Sequence, residues 1–255
     1  DPVGFAHYVY PWGRAGTQFE HGLRPWQLEE LTRMGDHIQE QVFRLENKMS
    51  PKVYKAAFSS GRGPGKSALF GITAHWHMST RIGAPTIVSA NTESQLRTKT
   101  FPEFAVWVGA AINSHWFVID NLRISPESWL VDTIKRLPEE GGLGIDPKYW
   151  YIAGQMWSET NPNAFAGAHN PYGMLVLFDE ADGIIANIWD VTEGFFTEIN
   201  PYRIWLAASQ MRHRSGRFFE LFNDANMGAD WHTRTISTRG MPGVDWRGAG
   251  GQVVA

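Results

Sequence analysis

The sequence contains no cysteine, which excludes disulfides, cysteine nucleophiles and cysteine-ligated metals. It has no apolar run long enough to span a membrane, so no membrane partner is expected. It also lacks an excess of basic charge. The formal net charge is -3 at pH 7, and any contact with nucleic acid must therefore come from a local patch. The chain starts without Met and without a signal-like segment, and we interpret it as part of a longer protein.

What the sequence does have is typical of a globular chain with a substantial core. Its 255 residues allow one large α/β domain or two small ones, and 43% of them are hydrophobic. Aromatic residues make up 13%, including 12 Trp, which predicts bulky packing in the core.

A short apolar strand, a glycine-rich loop and a helix follow one another between Lys52 and Ala74. The strand is predicted at Val53–Phe58, and the loop at Ser59–Gly65 contains three glycines and a proline. A loop of this kind turns backbone N–H groups towards an anion, and the helix that follows adds its own free N–H groups. The stretch therefore predicts a phosphate-binding loop; the alternative is an ordinary glycine loop before a helix.

The loop fits the Walker A pattern G-x-x-x-x-G-K-[ST] except that Ser60 replaces the first glycine. We expect this replacement to add backbone strain or to shift the turn. Lys66 is predicted to reach the β- and γ-phosphates and the Ser67 hydroxyl to bind Mg²⁺. The predicted nucleotide-binding residues of the loop are Ser60, Gly61, Arg62, Gly63, Pro64, Gly65, Lys66, Ser67 and Ala68.

A second stretch, Gly173–Asp182, has five consecutive apolar residues and then two carboxylates. The apolar run predicts a central parallel strand that is buried on both faces. Asp179 at its tip is predicted to hold Mg²⁺, and Glu180 to orient and deprotonate the attacking water. The alternative is a polar strand end followed by a turn. We expect Lys66 and the two carboxylates to meet at neighbouring strand tips.

Five further residues are of types that often have a functional role. Gln27 opens an amphipathic helix, and its amide could pair with the adenine edge, or could simply face solvent. A buried strand at Arg203–Ala208 ends in Ser209 and Gln210, which could sense the γ-phosphate. His75 and His77 flank a tryptophan without a partner at metal-ligand spacing, so they are predicted to be surface or core histidines.

The alternation of apolar strands and helices predicts an α/β fold with a mostly parallel central sheet flanked by helices, and the phosphate loop makes it a P-loop NTPase. Residues 1–24 are predicted to form an irregular arm, and 25–224 the ATPase domain. Residues 225–255 are predicted to hold a last strand and the start of a lid or linker, with a glycine-rich end at 247–252. Residues 162–169 are predicted to form a loop.

The order of several motifs resembles the large terminase subunit of tailed bacteriophages and prophages, in its N-terminal DNA-packaging ATPase domain. The similarity covers most of residues 23–224. The matching stretches are Arg24–Gln27, the loop at 60–67, Ser89–Gln95 after the second strand, the Walker B-like Leu175–Ala181, Trp205–Gln210 and Ser215–Phe222.

The resemblance implies a P-loop NTPase of ASCE or RecA-like type. It would be an ATP- and Mg²⁺-dependent motor that drives double-stranded DNA through a portal protein into a procapsid. It also implies a small terminase subunit as partner, a homo-oligomeric ring on the capsid, and residence in the host cytoplasm. A downstream RNase-H-like nuclease is expected in full-length terminases, but no suitable acidic cluster fits into residues 225–255, so nuclease activity is not expected from this chain.

The resemblance also assigns roles by position. Lys66 and Ser67 would bind phosphate and Mg²⁺, Asp179 would hold the metal and Glu180 would be the catalytic base. The remaining assignments are adenine recognition by Gln27, γ-phosphate sensing by Arg62, and coupling of hydrolysis to movement by Ser209 and Gln210. Gln210 departs from the usual asparagine. An arginine finger from a neighbouring subunit is implied, and its candidates are Arg97, Arg123, Arg136 and Arg212.

Two other functions compete with the motor. Residues 179–182 read Asp-Glu-Ala-Asp, as in superfamily 2 (DEAD-like) helicases, so a helicase fragment is the alternative. Such helicases need a second RecA-like domain, for which 255 residues leave no room. A slow nucleotide-binding switch is a third class, and Glu180 argues against it because switches usually lack a glutamate base there.

Overall fold

The computed structural model describes residues 1–158 and 170–237. The loop predicted at 162–169 and the glycine-rich end predicted at 247–252 both lie outside these ranges. The described residues form an eight-stranded sheet with the order β3-β4-β5-β2-β6-β7-β1-β8. The strands are β1 (Tyr54–Ser60), β2 (Thr86–Ser89), β3 (Phe117–Asp120), β4 (Arg123–Pro126), β5 (Ile152–Gly154), β6 (Met174–Asp179), β7 (Arg203–Ser209) and β8 (His232–Ile236).

Every strand pair is parallel except the two that involve β4, which pairs antiparallel with β3 and β5. The predicted mostly parallel sheet is therefore confirmed. Helices flank it on both faces. The α-helices are α1 (Pro2–Val9), α2 (Pro25–Glu46), α3 (Lys66–Thr80), α4 (Glu93–Gln95), α5 (Phe101–Ala110), α6 (Ser128–Lys135), α7 (Ala186–Glu193) and α8 (Arg217–Asn223).

Alternate residues of the central strands point to opposite faces, and each face has its own core. Leu175 and Leu177 of β6 pack into the cluster that includes buried residues of α1, α2, α3 and α5. Val176 and Phe178 pack into a second cluster with residues of α7 and α8. The second cluster is strongly aromatic: the ring of Trp205 lies 5.3 Å from that of Phe178. Burial on both faces explains why β6 reads as an unbroken apolar run.

The prediction of an irregular arm at residues 1–24 is wrong at its start. Asp1 caps a helix at Pro2–Val9, because its carboxylate accepts a hydrogen bond from the Gly4 amide at 2.9 Å. Residues that follow this helix enter the core, and the Tyr10 hydroxyl lies 2.8 Å from Nδ1 of His75. The first residues are therefore part of the domain.

The last strand predicted within residues 225–255 is present as β8 (His232–Ile236). It pairs in parallel with β1 along Ala56–Ser60. It therefore completes the domain's own sheet.

The two histidines of α3 are core residues, as one of the two interpretations predicted. His75 and His77 are both buried, and burial lowers their pKa values to about 4 and about 3. Nδ1 of His77 lies 3.0 Å from the Thr86 hydroxyl. Within residues 1–158 and 170–237, no group of three or more His, Cys, Asp or Glu side chains could hold a metal ion.

A buried carboxyl group, Glu30 of α2, should make stability depend on pH. Its Oε1 accepts a hydrogen bond from the Tyr54 hydroxyl at 2.5 Å, and its Oε2 lies 3.5 Å from Nε2 of His232. Burial nevertheless raises the pKa of Glu30 from 4.5 to about 7. The folded chain therefore holds a proton that the unfolded chain releases near pH 4.5, and the free energy of unfolding falls as pH rises from 4.5 to 7.

The isosteric change Glu30→Gln should remove this dependence. At 1.36 kcal/mol per pKa unit, the wild type should lose about 3 kcal/mol of this contribution between pH 4 and pH 8. Urea unfolding of both chains across this range checks the prediction, and the difference between the two curves cancels titrating groups that do not contact Glu30. Parallel curves for the two chains would contradict it.

Candidate nucleotide-binding site

The predicted phosphate loop connects β1 to α3 at the carboxyl end of β1. Gly63 and Gly65 have φ of 83° and 91°, a left-handed conformation that favours glycine. Ser60 is not among the described residues with positive φ, so the strain expected from it is not found. Instead, its hydroxyl accepts a hydrogen bond from Nζ of Lys66 at 2.7 Å. The serine is thus a partner of the loop lysine.

Lys66 connects the loop to the acidic end of β6. Its Nζ also donates to the carbonyl of Gly61 at 3.0 Å. Burial lowers the pKa of Lys66, and the carboxylates of Glu180 and Asp179 partly offset this because they favour the charged ammonium. The lysine and both acids therefore act on one another in one place, as the sequence predicted.

The N-terminus of α2 holds the outer side of the loop. Three side chains donate to three successive carbonyls: Arg24 to Gly63 at 2.6 Å, Trp26 to Pro64 at 2.9 Å and Gln27 to Gly65 at 2.9 Å. In a trans peptide the C=O and the next N–H point in opposite directions. The N–H groups of Gly65 and Lys66 therefore point away from α2, where an anion can meet them.

Gln27 braces the phosphate loop. It is buried, and its Oε1 accepts a hydrogen bond from the Arg24 amide at 2.9 Å while its Nε2 donates to the Gly65 carbonyl. The alternative of a solvent-facing glutamine is therefore wrong. Adenine recognition by Gln27 stays a prediction.

Asp179 is buried at the end of β6. Its Oδ2 accepts a hydrogen bond from the Thr100 hydroxyl at 2.6 Å, and its Oδ1 accepts one from the Glu180 amide at 3.0 Å. Burial raises the pKa of Asp179, and the Thr100 bond opposes that rise. Thr100 lies at the end of a π-helical turn, Leu96–Thr100, between α4 and α5. No local sequence pattern indicates Thr100 as a partner, so sequence reasoning missed it.

Glu180 is one of three described non-glycine residues with positive φ, at φ 50° and ψ 46°. Strained backbone of this kind is concentrated at functional sites. Its Oε2 accepts a hydrogen bond from the Ser209 hydroxyl at 3.3 Å and lies 3.6 Å from a guanidinium nitrogen of Arg212. The end of β7 therefore contacts the predicted base, which agrees with the predicted place of Ser209. Gln210 follows it and is partly buried.

The other predicted arginines lie in different surroundings. Arg62 is exposed on the loop. Arg97 pairs with Glu93 at 2.6 Å, and the guanidinium of Arg123 lies 4.0 Å from the centre of the Tyr151 ring, on the side of the sheet far from β1. Arg136 follows the last residue of α6. Arg212 is the candidate finger that contacts Glu180.

The strand order corrects one expectation. β1 and β6 are not neighbours, because β7 lies between them and pairs with both. The loop lysine and the two carboxylates still converge, since all three strands end at the same edge. The chain therefore has a P-loop NTPase fold of ASCE type, with a strand inserted between the phosphate-loop strand and the acidic strand.

The solved structures that resemble the chain include large terminases of phages, the family that the motif order indicated. An ATPase-domain variant from Thermus phage P74-26 is 17% identical with a TM-score of 0.49, over 71% of this chain and 75% of that one. The large terminase of another thermophilic bacteriophage is 12% identical with a TM-score of 0.48, over 78% of this chain and 44% of that one. A structure of this second terminase in complex with ADP covers 71% of this chain and 40% of that one, with 12% identity and a TM-score of 0.48.

No protein-family model and no curated protein matches the sequence. The match spans less than half the length of the second terminase. A TM-score below 0.5 does not establish a function, which has to follow from the site geometry. Among the helices of the described residues, none is long and apolar enough to cross a membrane.

Proposed function

We propose that the chain is the ATP-hydrolysing motor domain of a viral terminase large subunit, which drives double-stranded DNA into a procapsid. The observation that carries the ATPase part is the convergence of Lys66 with Asp179 and Glu180 from separate strands. A loop that can hold phosphates, a carboxylate for a metal and a second carboxylate for water are the parts that phosphoryl transfer to water needs.

In this proposal the loop N–H groups and Lys66 hold the β- and γ-phosphates. Arg62 and Ser209 sense the γ-phosphate by contacting it. Glu180 orients the attacking water in line and takes its proton. The site fits Mg²⁺, because this ion is commonly held by one or two carboxylates together with phosphate oxygens and water. The Ser67 hydroxyl and Asp179 would hold it, and the ion supplies charge neutralisation at the phosphates.

The terminase part of the proposal rests on the motif order. It names double-stranded viral DNA, the portal protein and the small terminase subunit as partners, and a homo-oligomeric ring on the capsid as the working form in the host cytoplasm. A finger from a neighbouring subunit would then be needed for fast hydrolysis, so the rate per subunit should rise with protein concentration.

The test measures ATP hydrolysis with Mg²⁺ or with EDTA, with and without double-stranded DNA, and strand separation on a forked duplex. The proposal expects Mg²⁺-dependent hydrolysis that double-stranded DNA stimulates, with no strand separation. Strand separation coupled to hydrolysis would favour the DEAD-like helicase instead. Absence of hydrolysis at every protein concentration would overturn the ATPase assignment.

A further inference from the structure

We infer that Arg212 acts on the nucleotide bound by its own chain and that Asp182 is the residue that positions it there. This inference rests on the proposed ATPase function. It separates Arg212 from the three other arginines that the sequence offered as a finger for a neighbouring subunit.

The first observation is where the Arg212 side chain lies. Its guanidinium nitrogen is 3.6 Å from Oε2 of Glu180, the proposed base of the same chain. The positive charge of Arg212 also contributes to the lowered pKa of Lys66, so the guanidinium lies close enough to the loop lysine to act on it. A finger that serves a neighbour has to point away from its own site, whereas this side chain lies beside its own Glu180.

The second observation is how the Arg212 backbone is fixed. The side chain of Asp182 is only 4% exposed, and its Oδ2 accepts a hydrogen bond from the Arg212 amide at 3.2 Å. The same oxygen lies 2.7 Å from Nδ1 of His213. Asp182 belongs to the turn Ala181–Gly183 directly after Glu180. The turn that directly follows the proposed base therefore also binds the backbone of Arg212.

The segment after β2 also lies against this turn. A Cβ added at Gly183 would lie 2.2 Å from the side-chain amide nitrogen of Asn91, in that segment. The turn after β6 therefore contacts the segment after β2 through Gly183 and the segment after β7 through Asp182. Because the Arg212 backbone is held by Asp182, the Arg212 side chain can change its contact while its backbone stays in place.

The chemistry follows from the exposure of the pair. Arg212 is 56% exposed, and an ion pair that is half in solvent is weak and easily exchanged. A γ-phosphate carries more negative charge than the Glu180 carboxylate and can also bind the planar guanidinium in a bidentate manner, so it is the stronger partner. When ATP is bound, Arg212 contacts the γ-phosphate oxygens, neutralises the charge that develops on them and leaves Glu180 free to accept the proton from water.

The test compares Arg212→Ala and Asp182→Ala with Arg214→Ala, an exposed arginine two residues further on. We expect Arg212→Ala to lower kcat by about 100-fold and Asp182→Ala by about tenfold, with a smaller rise in KM for ATP, because the charge that Arg212 neutralises develops mainly in the transition state. Arg214→Ala should match the wild type. The double variant should be no slower than Arg212→Ala alone, because Asp182 acts through Arg212. Asp182→Asn keeps an oxygen that can accept the hydrogen bond from the Arg212 amide, so it should retain most of the wild-type kcat.

Mixing experiments then decide between own-chain and neighbour action. Arg212→Ala subunits are mixed with Lys66→Ala subunits, which keep Arg212 but lack the loop lysine. No recovery of hydrolysis is expected, whereas recovery would show that Arg212 serves a neighbour and would overturn the inference. Normal kcat for Arg212→Ala, or additive effects in the double variant, would also overturn it. Absence of hydrolysis by the wild type would instead reject the ATPase assignment itself, and this inference with it.

Discussion

Replacing Glu180 with glutamine should leave ATP binding intact and lower kcat by about 100-fold or more. Glutamine has the same shape, and its carbonyl oxygen can still accept the hydrogen bond from Ser209 that Oε2 accepts at 3.3 Å. The backbone at this position, at φ 50°, is left unchanged. The change removes the negative charge that faces Arg212 and Lys66, and with it the capacity to take a proton from water. Steady-state hydrolysis gives kcat, and calorimetric titration with ATP gives affinity.

The matched control is Glu198→Gln, because this glutamate is exposed and precedes the start of β7, whose opposite end reaches the site. It should hydrolyse ATP as the wild type does. If Glu180→Gln kept a normal kcat, another group would have to deprotonate the water and the assigned base would be wrong. If Glu180→Gln lost affinity as well, the carboxylate would be needed to hold the loop lysine and not only for the proton transfer.

The parts of the fold that the sequence predicts are those determined by local pattern. The apolar run of β6 can only be buried on both faces, and the glycines before Lys66 can only form a loop. Strand order is not local. The insertion of β7 between β1 and β6 pairs residues that are distant in sequence, such as Tyr54 and Ile204. No local pattern indicates such a pairing, and we therefore expected β1 and β6 to be neighbours.

The same division applies to the site. Lys66, Asp179 and Glu180 belong to patterns whose chemistry is recognisable in sequence, and the structure brings them together. The contacts of Trp26 and Thr100 depend on how distant helices pack against the loop and β6, and nothing in their own surroundings indicates it. The sequence singles out Gln27 because its amide can both donate and accept hydrogen bonds. It does not indicate that this amide donates to the Gly65 carbonyl.

Replacing Lys66 with alanine should weaken ATP binding and lower kcat together, by about 100-fold or more in kcat/KM. The ammonium is held by Ser60 and Gly61 and is coupled to both carboxylates, so it stands where phosphate oxygens would meet it. Without it, two acids face a triphosphate with one cation fewer. Since burial already disfavours the charged lysine, its removal should not lower the melting temperature.

The contrast with Glu180→Gln is the stronger part of this test. A lost base lowers kcat and spares binding, whereas a lost phosphate ligand weakens binding in the ground state and in the transition state. Lys135→Ala, at an exposed position near the end of α6, controls for the loss of one positive charge and should leave both quantities unchanged. If Lys66→Ala bound ATP as tightly as the wild type, the phosphates would have to lie elsewhere, and the loop between β1 and α3 would not be their site.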